Sequence, residues 1–300
     1  MIYEFALDPG VMNSWASFRY FYDNFGAEKG RLISQFPSKW VRMVYEACST
    51  CQDIEKKKIE VKLENIKNKL VRMSRAYDSS LSWLDNAEYQ HARVPFRAIV
   101  SSSTTRGTKG VLIADDIDDA TPLWNIECGF CVAREACKMT NCVQPMLSLC
   151  SDVLFIDPHF NPDYIKYRNT LSQFLSQISE NAKICRIEYH LGDNLGGSHF
   201  RDQCNQKIPP LIPKGMEVKF IRWKQLDEGE KLHPRYILTE LGGVSIEVGL
   251  DEGNLGETTD INLLSEAIYT KRWHDFQQAT AAYQFIDELT VEGVRQLSAE

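Results

Sequence analysis

Val153-Leu154-Phe155-Ile156-Asp157-Pro158-His159-Phe160 is four apolar residues, an acid, and a proline that closes the run. A short apolar run bounded by a breaker reads as a buried strand. Outward from it, residues 164–178 repeat Tyr167, Leu171, Phe174, Leu175 and Ile178 at three- and four-residue steps, which is one face of a helix. Residues 183–190 alternate as a strand, 198–204 are helix-like, and 216–223 form a third strand. A fourth (236–239) and a fifth (244–248) are joined through Leu241-Gly242-Gly243. Strands alternating with helices and closed by a hairpin predict an α/β unit of three layers, about 100 residues long. The tail, 262–300, is expected to return to helix through Trp273, Phe276, Tyr283, Phe285 and Leu289.

The chain before this unit reads differently. Asn13-Ser14 caps a helix carrying Trp15, Phe18, Phe21 and Tyr22, and Pro37-Ser38 opens another through Trp40, Val41, Val44 and Tyr45. Ile59, Leu63, Ile66, Leu70 and Met73 recur at steps of four and three, one apolar stripe on a long helix over 53–77. Such a stripe packs within its own domain or forms a dimer seam. Pro95 ends the helical zone, and 96–100 and 111–114 are short strands around a Ser/Thr/Gly/Lys-rich loop, 101–110. The expected division is a mostly helical region with two short strands over 1–125, then an α/β domain with a helical tail over 126–300. Asp115-Asp116-Ile117-Asp118-Asp119 is either a solvated loop or an oxygen-rich cation site.

Of 300 residues, 43% are apolar and 25% charged, a balance that excludes a disordered or fibrous chain. No apolar stretch approaches the roughly 20 residues of a membrane span. Met1-Ile2-Tyr3-Glu4 lacks a basic segment followed by an apolar one, so the expected location is the cytoplasm. The net charge is -7, with 17 basic against 16 acidic residues up to Asn125 and 17 against 25 from Ile126 onward. Proteins that grip long nucleic acid alone carry a basic excess. Here a nucleic-acid substrate would need delivery by a partner.

The nine cysteines are an odd number with no export signal, which argues for free thiols. Cys128, Cys131, Cys137 and Cys142 fall within 15 residues and have to be weighed as a zinc site. Few turn residues separate them. Val132, Ala136, Met139 and Val143 at helical steps favour a helix over 128–149, with the cysteines as ordinary small side chains.

Leu232-His233-Pro234-Arg235-Tyr236-Ile237-Leu238-Thr239-Glu240 carries the chemistry. Residues two apart on a strand share a face, so His233 and Arg235 project together while Tyr236 and Leu238 face away. An imidazole beside a permanent cation with a fork of donors suits phosphoryl chemistry. His190 with Glu188 stands in the same relation on an earlier strand and would support the site from behind.

His233-x-Arg235 followed by four residues and Glu240 resembles the His-x-Lys-x4-Asp signature of the phospholipase D superfamily. Phe155-Ile156-Asp157-Pro158-His159-Phe160 resembles the first strand of such domains, and Gly249-Leu250-Asp251 the ending of single-motif members. The resemblance spans roughly 150–262. It implies a phospholipase-D-like fold in the second half and a metal-independent phosphodiesterase, with a nuclease in a defence or restriction module as the expected form. His233 would be the nucleophile, forming a phosphohistidine, and Arg235 would neutralise the phosphate oxygens. Glu240 would stand where the family has Asp. His159, Asp157, Ser245, Asp251 and Glu257 would line or support the site, with Glu257 or Asp260 orienting His233. No metal and no cofactor is implied. Family members need two motifs, so the single one implies a homodimer in which two chains complete the site. A larger partner such as a helicase is implied by the same resemblance. The Gly-Ser-x-Asn element of the active enzymes is missing, which leaves open a catalytically degenerate module that binds phosphate, nucleic acid or a partner protein and serves assembly.

Overall fold

Alternation along Tyr3–Leu7 sets the architecture of the first half: Phe5 and Leu7 point into one apolar layer and Ala6 into another. In the computed structural model, which describes every residue except 105–108, 180, 182 and 297–300, the chain divides into units Ile2–Glu127 and Cys128–Glu300. Part of the loop 101–110 and the end of the tail thus lie outside the described residues.

The first unit corrects the expectation of a mostly helical region. Strands β1 (Tyr3–Leu7), β2 (Arg31–Ser34), β3 (Leu70–Val71), β4 (Ile99–Ser101) and β5 (Val111–Ile113) form a parallel sheet in the order β3-β2-β1-β4-β5. Between them run α1 (Trp15–Asn24), α2 (Trp40–Ala47), α3 (Asp53–Glu64) and α4 (Trp83–Arg93). Ser14 caps α1 as read, its Oγ accepting from Ser17 N at 3.2 Å. The long helix over 53–77 does not form. Asn65 Nδ2 donates to the Val61 carbonyl at 2.9 Å, α3 stops at Glu64, and a 3-10 turn delivers Leu70 to β3. Ile59, Leu63 and Ile66 stay buried beside Phe18 and Trp40, so the stripe packs inside its own unit.

The second unit is a mixed sheet of eight strands, in the order β13-β9-β8-β7-β10-β11-β12-β6. Its elements are β6 (Gly129–Ala133), α5 (Ala136–Leu147), β7 (Asp152–Ile156), α6 (Ile165–Ser179), β8 (Arg186–Gly192), α7 (Gly197–Lys207) and β9 (Glu217–Lys224), then β10 (Tyr236–Thr239), β11 (Gly242–Ile246), β12 (Thr258–Leu263), α8 (Glu266–Asp275) and β13 (Gln284–Glu292). β7, β8 and β9 run parallel; β10 returns antiparallel to β7, and β11 antiparallel to β10. Phe155, Tyr189 and Phe220 meet Phe174 of α6 and Phe200 of α7 on one face. Leu154, Ile156, Trp223, Tyr236 and Leu238 pack with Phe276 beneath α8 on the other. Helices therefore cover both faces, and the protein is α/β in each half.

The helical tail is a second correction. Among the described residues of the tail only α8 is helical; Gln284–Glu292 pairs with β9, anchored where Arg222 grips Asp287 at 2.7 and 2.9 Å. A third concerns His190, which lies on the α8 face between Trp223 and Phe276, away from Arg235. Trp223 Nε1 donates to His190 Nδ1 at 2.9 Å, and His190 Nε2 meets Glu188 Oε2 at 3.2 Å. Nδ1 is held as an acceptor, and burial lowers the pKa of this imidazole against the pull of Glu188. A histidine held neutral in the fold takes up its proton more readily once unfolded, so stability falls as pH drops below the ordinary value of about 6.5. Urea unfolding of the wild type should weaken between pH 7.5 and 5.5, and His190→Asn should weaken less over the same interval. Equal slopes for the two proteins would refute this role for His190.

Candidate functional site

The strand ends on one side of the eight-stranded sheet collect the chemistry. Because β7 and β11 end where β10 begins, Asp157, Arg235 and the turn Gly249-Leu250-Asp251 converge there, and β6 delivers Arg134 to the same end of the sheet. Leu232 packs against the core under α8 and Pro234 fixes its own φ, so the short run before β10 is held from below. His233 and Arg235 consequently stand on the opposite side, His233 exposed and the Arg235 side chain 15% exposed.

Arg235 Nη1 and His233 Nε2 are 3.3 Å apart. A guanidinium only donates, so Nε2 accepts and keeps its lone pair. The positive charge of Arg235, followed by desolvation, Lys231 and His159, holds the pKa of His233 below 6.5. Arg235 Nε is buried without a hydrogen-bond partner, 4.0 Å from Asp157 Oδ1. His159 is exposed, and its ring lies edge-on to His233 with centroids 5.9 Å apart.

The floor beneath is ionic. Asp157, 1% exposed, accepts from the backbone N–H groups of His159 (2.9 Å) and Leu250 (2.8 Å). Burial pushes its pKa up, opposed by those two donors and by Arg235. Asp251 binds Arg134 Nη2 at 2.8 Å and Lys166 Nζ at 2.7 Å, and Arg134 Nη1 continues to Glu257 at 2.8 Å. Tyr167 is buried beside Phe160, and burial together with Asp157 and Asp251 raises its pKa. A Cβ on Gly249 would sit 2.5 Å from Asp251 Oδ1 and 3.2 Å from Asp157 Oδ2, so glycine alone lets the chain pass over both carboxylates.

Of the residues expected in the site, the structure brings together His233, Arg235, His159, Asp157 and Asp251. It corrects three. Glu240 lies at the far end of β10, about 16 Å along the strand from Arg235 at ~3.3 Å per residue. Its carboxylate accepts from Ser151 N (2.8 Å) and Asp152 N (3.0 Å), tying β10 to the start of β7. Ser245 pairs with Tyr236 and so shares the α8 face, opposite Arg235. Glu257 touches Arg134 and Asn254 rather than His233; Asp260 is exposed on β12 opposite Cys131. Arg134 and Lys166 were not legible in the sequence, because what recruits them is Asp251, 117 and 85 residues away.

The helix expected over 128–149 is the strand β6 followed by α5. Cys131 is on the strand, Cys137 and Cys142 on the helix, and Cys128 just before β6. Among the described residues no three His, Cys, Asp or Glu side chains are grouped to hold a metal, the Asp115–Asp119 run included.

No family model matches the chain, and no curated protein does. Among solved structures, the chain is similar to one described as TrmBL2, an archaeal chromatin protein that shows a novel mode of DNA binding. The identity is 12% and the TM-score 0.31, over 58% of this chain and 59% of the other. The match thus spans less than two thirds of that protein's length, and likeness at this level carries no conclusion about activity.

Proposed function

We propose that the second unit is a phosphodiesterase of phospholipase-D-like type, with His233 as nucleophile and Arg235 as the group that neutralises the phosphate. The observation that supports this reading above all is the 3.3 Å approach of a guanidinium N–H to the Nε2 of an exposed histidine. An imidazole held deprotonated by a neighbouring cation keeps the lone pair that attacks phosphorus. Phosphate oxygens would draw the guanidinium toward themselves and free Nε2 to react. Charge developing on those oxygens is stabilised by the same fork of donors. The substrate class is a nucleic acid brought by a partner in the cytoplasm, a helicase being one that would suit, because the second half of the chain is acidic. Among the described residues, no helix is long and apolar enough to cross a membrane.

A second reading, a catalytically degenerate module that binds a partner protein and serves assembly, has one observation in its favour. Arg134 and Lys166 are already engaged by Asp251 and are not free to meet a ligand's charge. Turnover separates the two. Bis(p-nitrophenyl) phosphate or single-stranded DNA should be hydrolysed in EDTA, and acid-labile, base-stable phosphoryl label should be trapped on His233. Hydrolysis that chelator abolishes, or binding without hydrolysis, would overturn the enzymatic reading.

A further inference from the structure

We propose that His159 is the proton donor to the leaving oxygen, so that a single chain holds both imidazoles of the reaction; this rests on the phosphodiesterase reading above. The ring centroids are 5.9 Å apart, and both residues are exposed, His159 just after β7 and His233 just before β10. Asp157 joins them mechanically. Its Oδ1 takes the backbone N–H of His159 at 2.9 Å and faces Arg235 Nε at 4.0 Å, while Arg235 in turn reaches His233. A buried carboxylate thereby lies between the backbone of one solvent-facing histidine and the guanidinium that reaches the other. The reaction requires a phosphate between the two rings, with phosphorus about 3–3.5 Å from the nucleophile and the ester oxygen within ~3 Å of the acid. The charge His159 carries when protonated lowers the pKa of His233. One neutral and one protonated imidazole is the pairing this chemistry needs.

The reaction balances with water as the only co-reactant. The His233 Nε2 lone pair forms a bond to phosphorus. The bond from phosphorus to the leaving oxygen breaks with its electron pair, and that oxygen takes the proton of the His159 imidazolium. Neutral His159 then accepts a proton from water as the water oxygen attacks phosphorus. The P–N bond breaks with its pair returning to Nε2, which restores both residues and releases the monoester. A homodimer, which a single motif seemed to require, is not needed for this cycle.

The test uses the full chain and two diesters, one with a p-nitrophenolate leaving group and one, a dinucleotide, with an alkoxide. A strong leaving group needs little help from an acid, whereas an alkoxide needs a proton. His159→Gln and His159→Ala should each lose 10²- to 10⁴-fold on the dinucleotide and at least tenfold less than that on the p-nitrophenyl ester. His233→Ala should lose both alike. Coexpressed His159→Ala and His233→Ala chains should show no recovery. Loss of equal size on the two esters in His159 variants, no loss at all, or recovered activity on coexpression would overturn the assignment while leaving His233 as nucleophile. Wild-type protein inert on both esters would bring down the phosphodiesterase reading and this donor with it.

Discussion

His233→Ala should lower phosphodiester turnover in EDTA by about 10⁴-fold or more, the scale set by removing a nucleophile from a covalent mechanism. Arg235→Ala should cost about 10²–10³-fold, the loss typical of one preorganised group facing developing oxyanion charge. Arg235→Lys should recover part of that loss, because a point charge replaces a forked donor. Their pH profiles separate the roles. On the proposed mechanism only neutral His233 attacks, so the acid limb of the wild-type kcat/KM profile should inflect below 6.5, where Arg235 holds the imidazole. In Arg235→Ala that inflection should move upward, since the largest cause of the depression is gone. A profile that keeps its inflection in Arg235→Ala would mean that Arg235 does not face His233 in the working enzyme.

What the sequence made legible was local. Apolar runs and period-two alternation placed β7 to β11 because each is bounded by Pro, Gly or polar turns, as at Pro158 and Gly242-Gly243. The i, i+2 rule put His233 beside Arg235 from chain geometry alone. In the first unit β4 and β5 were legible at 96–100 and 111–114, while β1, β2 and β3, of five, four and two residues, escaped. At that length a buried strand and a buried helix segment carry the same apolar signature. Residues 284–292 alternate well enough for a strand, yet five large apolar residues spread over the tail suggested helix. The ionic floor escaped for another reason. Nothing near Arg134 in the chain marks it as the partner of Asp251, and only the antiparallel return of β12 to β6 brings the two together.

That floor yields the largest stability effect. Asp251→Ala should lower the free energy of unfolding by about 3–5 kcal/mol, the cost of leaving a buried charge uncompensated. The Arg134 side chain is 10% exposed and Asp251 6%, so water cannot replace the lost carboxylate, and Glu257 is 42% exposed and holds only one guanidinium nitrogen. Lys166, 47% exposed, turns to solvent at little cost. The contrast is Arg42–Glu46, exposed by 74% and 57%, where Glu46→Ala should change stability by no more than about 0.5 kcal/mol. Urea midpoints of the two variants measure the difference directly. Asp251→Asn should fall between them, keeping the shape and an acceptor for Arg134 while losing the charge. If Asp251→Ala unfolds with the wild-type midpoint, the carboxylate is dispensable to the fold. Asp251 would then have to be retained for the charge it places beneath Asp157 and Arg235, and activity rather than stability would register its removal.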